Sequence, residues 1–73
     1  MIAGTKDIQI VVNGQLRAVP RGRTVVELLA WLGIEGDRVA VELNRTIVRR
    51  EDWDKTEVGD GAALEIVQFV GGG

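Results

Sequence analysis

The feature that most constrains the fold is the Asn13-Gly14 pair, which stands between two short alternating runs. Residues 8–12 are rich in β-branched side chains, and residues 15–19 alternate between apolar and polar. Asparagine and glycine both tolerate a positive φ, so an Asn-Gly pair between such runs is the strongest short-range signal for a β-hairpin. We therefore predict two antiparallel strands, the first of which faces a core with Ile8, Ile10 and Val12.

A short helix is predicted after this hairpin. Thr24 and Glu27 have the spacing of a capping box, in which each side chain accepts a hydrogen bond from the backbone N–H of the other residue. Gly33 provides the left-handed stop at the other end. A helix of about two to three turns depends on tertiary packing, so it needs a sheet to cover its apolar side. Trp31 falls off that side and is expected to be partly exposed. The apolar side consists of Val25, Leu28, Leu29 and Leu32.

Two further strands follow the helix. Residues 39–43 alternate, with Val39, Val41 and Leu43 on one face, and Asn44-Arg45 turns the chain into residues 46–48. The charged segment 49–54 is expected to form a solvated loop or a single helical turn, with Trp53 packed against the edge of the core.

The last strand is predicted over residues 62–70, after the glycine-rich turn 59–61. It is expected to run parallel to the first strand at the centre of the sheet, with Leu64 and Ile66 towards the helix. Glu65, Val67 and Phe69 then lie on the other face, where Val67 and Phe69 either form an exposed partner surface or are covered by segment 49–54. The predicted fold is α+β, a mixed sheet of four to five strands with one main helix on one face.

Composition argues against several functions. The 73 residues include no Cys, Ser, His or Tyr, so most nucleophiles and the usual proton-transfer residue are missing, and a free-standing enzyme is not expected. A disulfide or a thiolate metal site is excluded as well. The net charge of −2 and the few aromatic residues are atypical of nucleic-acid binding. The sequence has no membrane-span or signal-peptide pattern, which predicts a soluble, cytoplasmic protein.

The final residues are Val70 and three glycines, Gly71, Gly72 and Gly73. A glycine run has no side-chain chemistry; it offers a thin, flexible backbone and, at its end, an α-carboxylate. We predict a domain over residues 1–70 and a flexible tail over residues 71–73. A frayed terminus is the alternative interpretation of the tail.

Several short motifs, in this order, resemble the ubiquitin-like β-grasp sulfur carriers of the ThiS family. The Val-Asn-Gly hairpin at Asn13 is followed by the Thr-Val-x-Glu-Leu-Leu helix that starts at Thr24. The Val-Ala-Val-Glu-Leu-Asn strand, Ile-Val-x-Arg with Trp53, the Gly-Asp-Gly turn and the Val-Gly-Gly-Gly end come next. The resemblance covers residues 7–73.

The resemblance implies a mechanism in which other proteins act on the tail. A ThiF-like adenylyltransferase would use ATP and Mg²⁺ to adenylate Gly73, and persulfide proteins would supply sulfur to form a thiocarboxylate. A ThiG-like thiazole synthase would then use this sulfur in thiamine biosynthesis. The carrier would bind no cofactor or metal itself. Gly71 and Gly72 would pass through narrow channels in the partners, while Val67, Phe69 and Val70 would contact them.

Other interpretations of the same residues stay open at this point. The small subunit of molybdopterin synthase and carriers for cysteine synthesis use the same tail chemistry in other pathways. A ubiquitin-like modifier would join Gly73 to lysines by an amide bond. In a plain β-grasp interaction module the tail would be inert.

Overall fold

The computed structural model describes residues 7–69. These residues form one mixed sheet of five strands, in the order β2-β1-β5-β3-β4, and one α-helix. Strands β1 and β5 are parallel, and the other neighbours are antiparallel. The closing strand therefore lies beside the first at the centre of the sheet, as predicted. The elements are β1 (Asp7–Val12), β2 (Gln15–Pro20), α1 (Val25–Trp31), β3 (Val39–Leu43), β4 (Thr46–Val48) and β5 (Ala63–Gln68).

Both predicted hairpins are present, and both turn through left-handed backbone. In the β1–β2 turn, Asn13 has a φ of 50° and Gly14 a φ of 83°; in the β3–β4 turn, Asn44 has 51° and Arg45 has 70°. Two consecutive positive φ angles match the right-handed twist of the flanking strands. Each turn thereby fixes the register of its hairpin.

The helix has the predicted capping box. The N–H of Glu27 donates to Oγ1 of Thr24 at 3.4 Å, and the N–H of Thr24 donates to Oε1 of Glu27 at 3.0 Å. These bonds satisfy donors that a helix start otherwise leaves without partners. After Trp31, which is 48% exposed, Gly33 takes a φ of 78° and ends the helical path. No helix among residues 7–69 is long and apolar enough to cross a membrane.

The core lies between α1 and one face of the sheet. Trp53 extends it at one edge, with 5% of its surface exposed, and its indole N–H donates to the carbonyl of Val48 at 2.9 Å. It follows a single 3₁₀ turn, Arg50–Asp52, so the helical turn and the packed tryptophan predicted for this segment are both confirmed. The buried apolar residues are Ile8, Ile10, Val12, Val19, Val25, Leu28, Leu29, Val39, Val41, Trp53, Val58, Ala62 and Leu64.

Candidate partner-binding surface

The candidate surface is built on β5, the central strand that leads towards the glycines. Successive side chains of a strand point to opposite faces, and here Leu64 is buried under the helix while Ile66 packs against the core. Val67 and Phe69 are each 56% exposed. The predicted exposure of Val67 and Phe69 is therefore confirmed, and the alternative, burial under segment 49–54, is wrong: Trp53 of that segment packs into the core, while the segment leaves both side chains exposed.

Strand β3, which lies next to β5 in the sheet, contributes to the same surface. Val67 is paired with Ala40, and the N–H of Phe69 donates to the carbonyl of Arg38 at 2.7 Å. This hydrogen bond continues the β3–β5 ladder past the end of β5. Phe69 is thereby held in the extended path of the strand, with more than half of its surface exposed.

The sequence analysis missed the other members of this face. Ile47 in β4 is 67% exposed and is paired with Glu42, which is itself paired with Glu65. We call Ala40, Ile47, Val67 and Phe69 the apolar patch, and two carboxylates lie beside it. Alternation within each strand was visible in the sequence, but the register that places Ile47 and Glu65 on the two sides of Glu42 was not.

The remaining predicted site residues lie outside the described part of the chain. They are Val70, Gly71, Gly72 and Gly73. Gly73 as the reacting residue, the channel role of Gly71 and Gly72, and the contact role of Val70 therefore stay predictions. So do the division into residues 1–70 and 71–73 and the cytoplasmic location.

An open cleft of about 420 Å³ lies apart from the apolar patch. It is lined by Val26 of α1, by residues of a second 3₁₀ turn, Gly36–Arg38, and by residues in and just after the turn Arg50–Asp52, including Trp53. Among residues 7–69, no group of three or more His, Cys, Asp or Glu side chains is placed to hold a metal ion. The patch therefore offers contact area and no metal-ligand set within this part of the chain.

A five-stranded mixed sheet with one helix across it defines a ubiquitin-like β-grasp domain, and here the central strand ends in an apolar patch. The family model described as "ThiS family" matches residues 10–73. The chain belongs to the ThiS family of sulfur carrier proteins, which confirms the predicted fold class and family.

Individual relatives agree with this assignment. The chain is 36% identical over 66 residues to the sulfur carrier protein ThiS of Escherichia coli K12, covering 90% of this chain and 100% of that protein. The crystal structure of the thiamine biosynthesis protein ThiS from Geobacter metallireducens superposes with a TM-score of 0.81 at 39% identity, covering 90% of this chain and 100% of that one.

Another relative is a longer protein. The chain is 42% identical over 66 residues to the thiazole synthase of Paramagnetospirillum magneticum, covering 90% of this chain and 20% of that protein. The chain thus spans about a fifth of the length of this relative. In that organism, a segment similar to this chain is part of a polypeptide named thiazole synthase.

Proposed function

We propose that this protein carries sulfur as a thiocarboxylate on Gly73 and donates it to the formation of the thiazole ring in thiamine biosynthesis. The observation that carries the proposal is that a chain of the ThiS family exposes Val67 and Phe69 just before its glycines. A partner that grips this patch would have the glycines within immediate reach. The proposal takes Gly73 as the terminal residue.

The chemistry begins with activation of the carboxylate. A carboxylate is a poor electrophile because its negative charge is delocalised over two oxygens. A ThiF-like adenylyltransferase with ATP and Mg²⁺ would let a Gly73 carboxylate oxygen attack the α-phosphorus, with pyrophosphate as the leaving group. The resulting acyl-adenylate has AMP as a good leaving group, which lowers the barrier to attack at the carbonyl carbon.

Sulfur enters in the next step. The terminal sulfur of a persulfide on a delivery protein would attack the carbonyl carbon and expel AMP. A second thiol would then cleave the sulfur–sulfur bond, leaving the thiocarboxylate on Gly73 and a disulfide on the donor side. The thiocarboxylate sulfur is a nucleophile, so it can be transferred to the substrate of a thiazole synthase.

The chain itself contributes recognition and access in this scheme. Gly71 and Gly72 have no Cβ, so they fit channels that other residues would block. Ordering each of them on binding costs about 1–2 kcal/mol of conformational entropy. Contacts at Val67, Phe69 and Val70 would offset that cost. The protein would act as a co-substrate of its partners and would bind no cofactor of its own.

The proposed partners are the adenylyltransferase, persulfide-delivery proteins and a thiazole synthase, with no nucleic acid or membrane among them. The thiazole synthase is supported by the Paramagnetospirillum protein, in which a similar segment is part of a polypeptide of that name. Two proteins that meet in every reaction cycle gain effective concentration when they are joined in one chain. In this proposal, the domain described here takes part in the same encounter with a thiazole synthase.

The proposal is tested by ATP-dependent pyrophosphate exchange with the activating enzyme. The full chain is compared with a chain that lacks Gly72 and Gly73, after circular dichroism has shown that both are folded. We expect exchange with the full chain and none with the shortened one. Equal exchange with both chains would rule out the Gly73 carboxylate as the activated group.

A further inference from the structure

The side chain of Asn13 binds the backbone of β5 at the end nearest the glycines. Its Oδ1 accepts from the N–H of Ile66 at 2.7 Å, and its Nδ2 donates to the carbonyl of Ile66 at 3.2 Å. The backbone N–H of Asn13 also donates to the carbonyl of Leu64 at 2.9 Å. A turn residue, 53 positions away in sequence, thus holds both peptide groups of Ile66.

These bonds continue the parallel ladder after β1 has ended. The ladder runs from the N–H of Val11, which donates to the carbonyl of Ala62 at 2.9 Å, to the N–H of Asn13. Beyond this point the chain turns back, and Gln15 is already paired with Val12. At Ile66 the carboxamide of Asn13 therefore takes the place of a strand backbone, which also presents one donor and one acceptor.

Past Ile66, the strand is held from one side only in the described part of the chain. The N–H and C=O groups of successive residues in a strand point alternately to its two neighbouring strands. Those of Gln68 therefore point to the same side as those of Ile66, where β1 is no longer present. On the other side, Gln68 is still paired with Val39, and Phe69 donates to Arg38. Asn13 therefore marks the last position at which β5 is held from both sides.

We propose that Asn13 is a positioning residue that fixes the direction in which β5 leaves the sheet. In doing so it presents Val67, Phe69 and the glycines in the one orientation that the activating partner accepts. The inference rests on the proposed function. When only a fraction of molecules has the competent orientation, the apparent affinity falls by that fraction, so a loosened exit weakens capture. Once the partner has captured the tail, its channel holds the glycines and the chemical step is unchanged.

Asn44 provides a matched control within the same fold. It also has a positive φ in a hairpin turn, and its Oδ1 accepts from the N–H of Ala63 at 2.9 Å. Its backbone N–H donates to the carbonyl of Ala63 at 2.8 Å. Asn44 therefore binds β5 at the end remote from the glycines, and its loss removes a comparable contact without altering the exit.

The experiment compares Asn13→Gly with Asn44→Gly in the full chain. Glycine tolerates the positive φ of each turn and removes the carboxamide with the rest of the side chain, and the backbone freedom that it adds is the same in both variants. Hydrogen exchange at the Ile66 amide, thermal unfolding, and the KM and kcat of adenylation by the activating enzyme are measured. We expect Asn13→Gly to speed Ile66 exchange about tenfold and to raise KM about fivefold with kcat unchanged. Asn44→Gly should leave KM as it is, even if it lowers the unfolding temperature as much.

Equal KM values for the two variants would overturn the positioning role, whereas a wild-type chain that is never adenylated would overturn the proposed function itself. Should Asn13→Gly fail to fold, Asn13→Asp is compared with Asn44→Asp. Aspartate keeps the acceptor for the Ile66 N–H and loses the donor to the Ile66 carbonyl. A KM increase specific to Asn13→Asp supports the inference, and unchanged KM in both aspartate variants contradicts it.

Discussion

Gly36 lies directly against the indole ring of Trp53: a β-carbon at residue 36 would come within 2.9 Å of Cζ3 of the tryptophan. The ring is fixed on its other sides. Its N–H donates to the carbonyl of Val48, only 5% of the surface of Trp53 is exposed, and the guanidinium of Arg50 lies 4.6 Å from the ring centroid. The segment after the helix and the segment before β5 therefore meet at a contact that requires a glycine.

Gly36→Ala is expected to destabilise the domain by about 1–3 kcal/mol, because the added methyl group overpacks a ring that cannot move away. The φ of Gly36 is not in the left-handed region, so backbone strain does not contribute. Urea unfolding followed by circular dichroism measures the change. Gly59→Ala is the control, since nothing lies within 4 Å of its β-carbon position; its effect should stay within about 0.5 kcal/mol. Equal stability of both variants would contradict the contact.

Trp53→Phe tests the hydrogen bond of the indole. Phenylalanine fills much of the same space but lacks the indole N–H that donates to the carbonyl of Val48. The expected loss is about 1–3 kcal/mol in the free energy of unfolding. The matched control is Trp31→Phe, because Trp31 is 48% exposed and its replacement should change stability by less than about 0.5 kcal/mol. A larger effect at Trp31 than at Trp53 would be inconsistent with the structure.

Glu42 and Glu65 are directly opposite each other on the outer face of the sheet. Like charges in this position repel, so Glu65→Lys is expected to stabilise the domain by about 0.2–1 kcal/mol through a new attraction to Glu42. The gain should shrink as salt is added, because exposed charges are screened. Glu65→Gln, which only removes the repulsion, should give a smaller gain. Loss of stability in Glu65→Lys at low salt would refute the observed register.

Phe69→Ala tests the apolar patch as a partner surface. Phe69 is exposed and outside the core, so the domain should stay folded while the affinity for the activating enzyme falls about tenfold, as for an aromatic anchor of an interface. Isothermal titration calorimetry measures the affinity. Leu16→Ala removes a side chain in β2 that is 66% exposed and is not part of the patch; it should bind as the wild type does. Unchanged affinity of Phe69→Ala would count against the patch.

The sequence predicted the parts of this fold that depend on residues close to each other in the chain. The turn at Asn13-Gly14, the capping box of Thr24 and Glu27, and the exposure of Val67 follow from local backbone preference and from alternation. The position of β5 at the centre of the sheet, parallel to β1, was also predicted correctly.

The sequence could not predict contacts that form only when distant segments meet. The bonds from Asn13 to Ile66, the approach of Gly36 to Trp53 and the pairing of Glu42 with Glu65 all depend on the register between elements far apart in the chain. Alternation assigns a side chain to a face, but register decides which residues are opposite. Ile47, a member of the apolar patch, was missed for the same reason.

The central claim is that partner enzymes convert the Gly73 carboxylate into a thiocarboxylate. Intact mass spectrometry after incubation with the activating enzyme, ATP and a persulfide source tests it most directly. The account predicts a mass gain equal to the replacement of one oxygen by sulfur, dependent on ATP and located in the C-terminal fragment. An unchanged mass under conditions that yield AMP, or a Gly73 joined to a lysine by an amide bond, would contradict it.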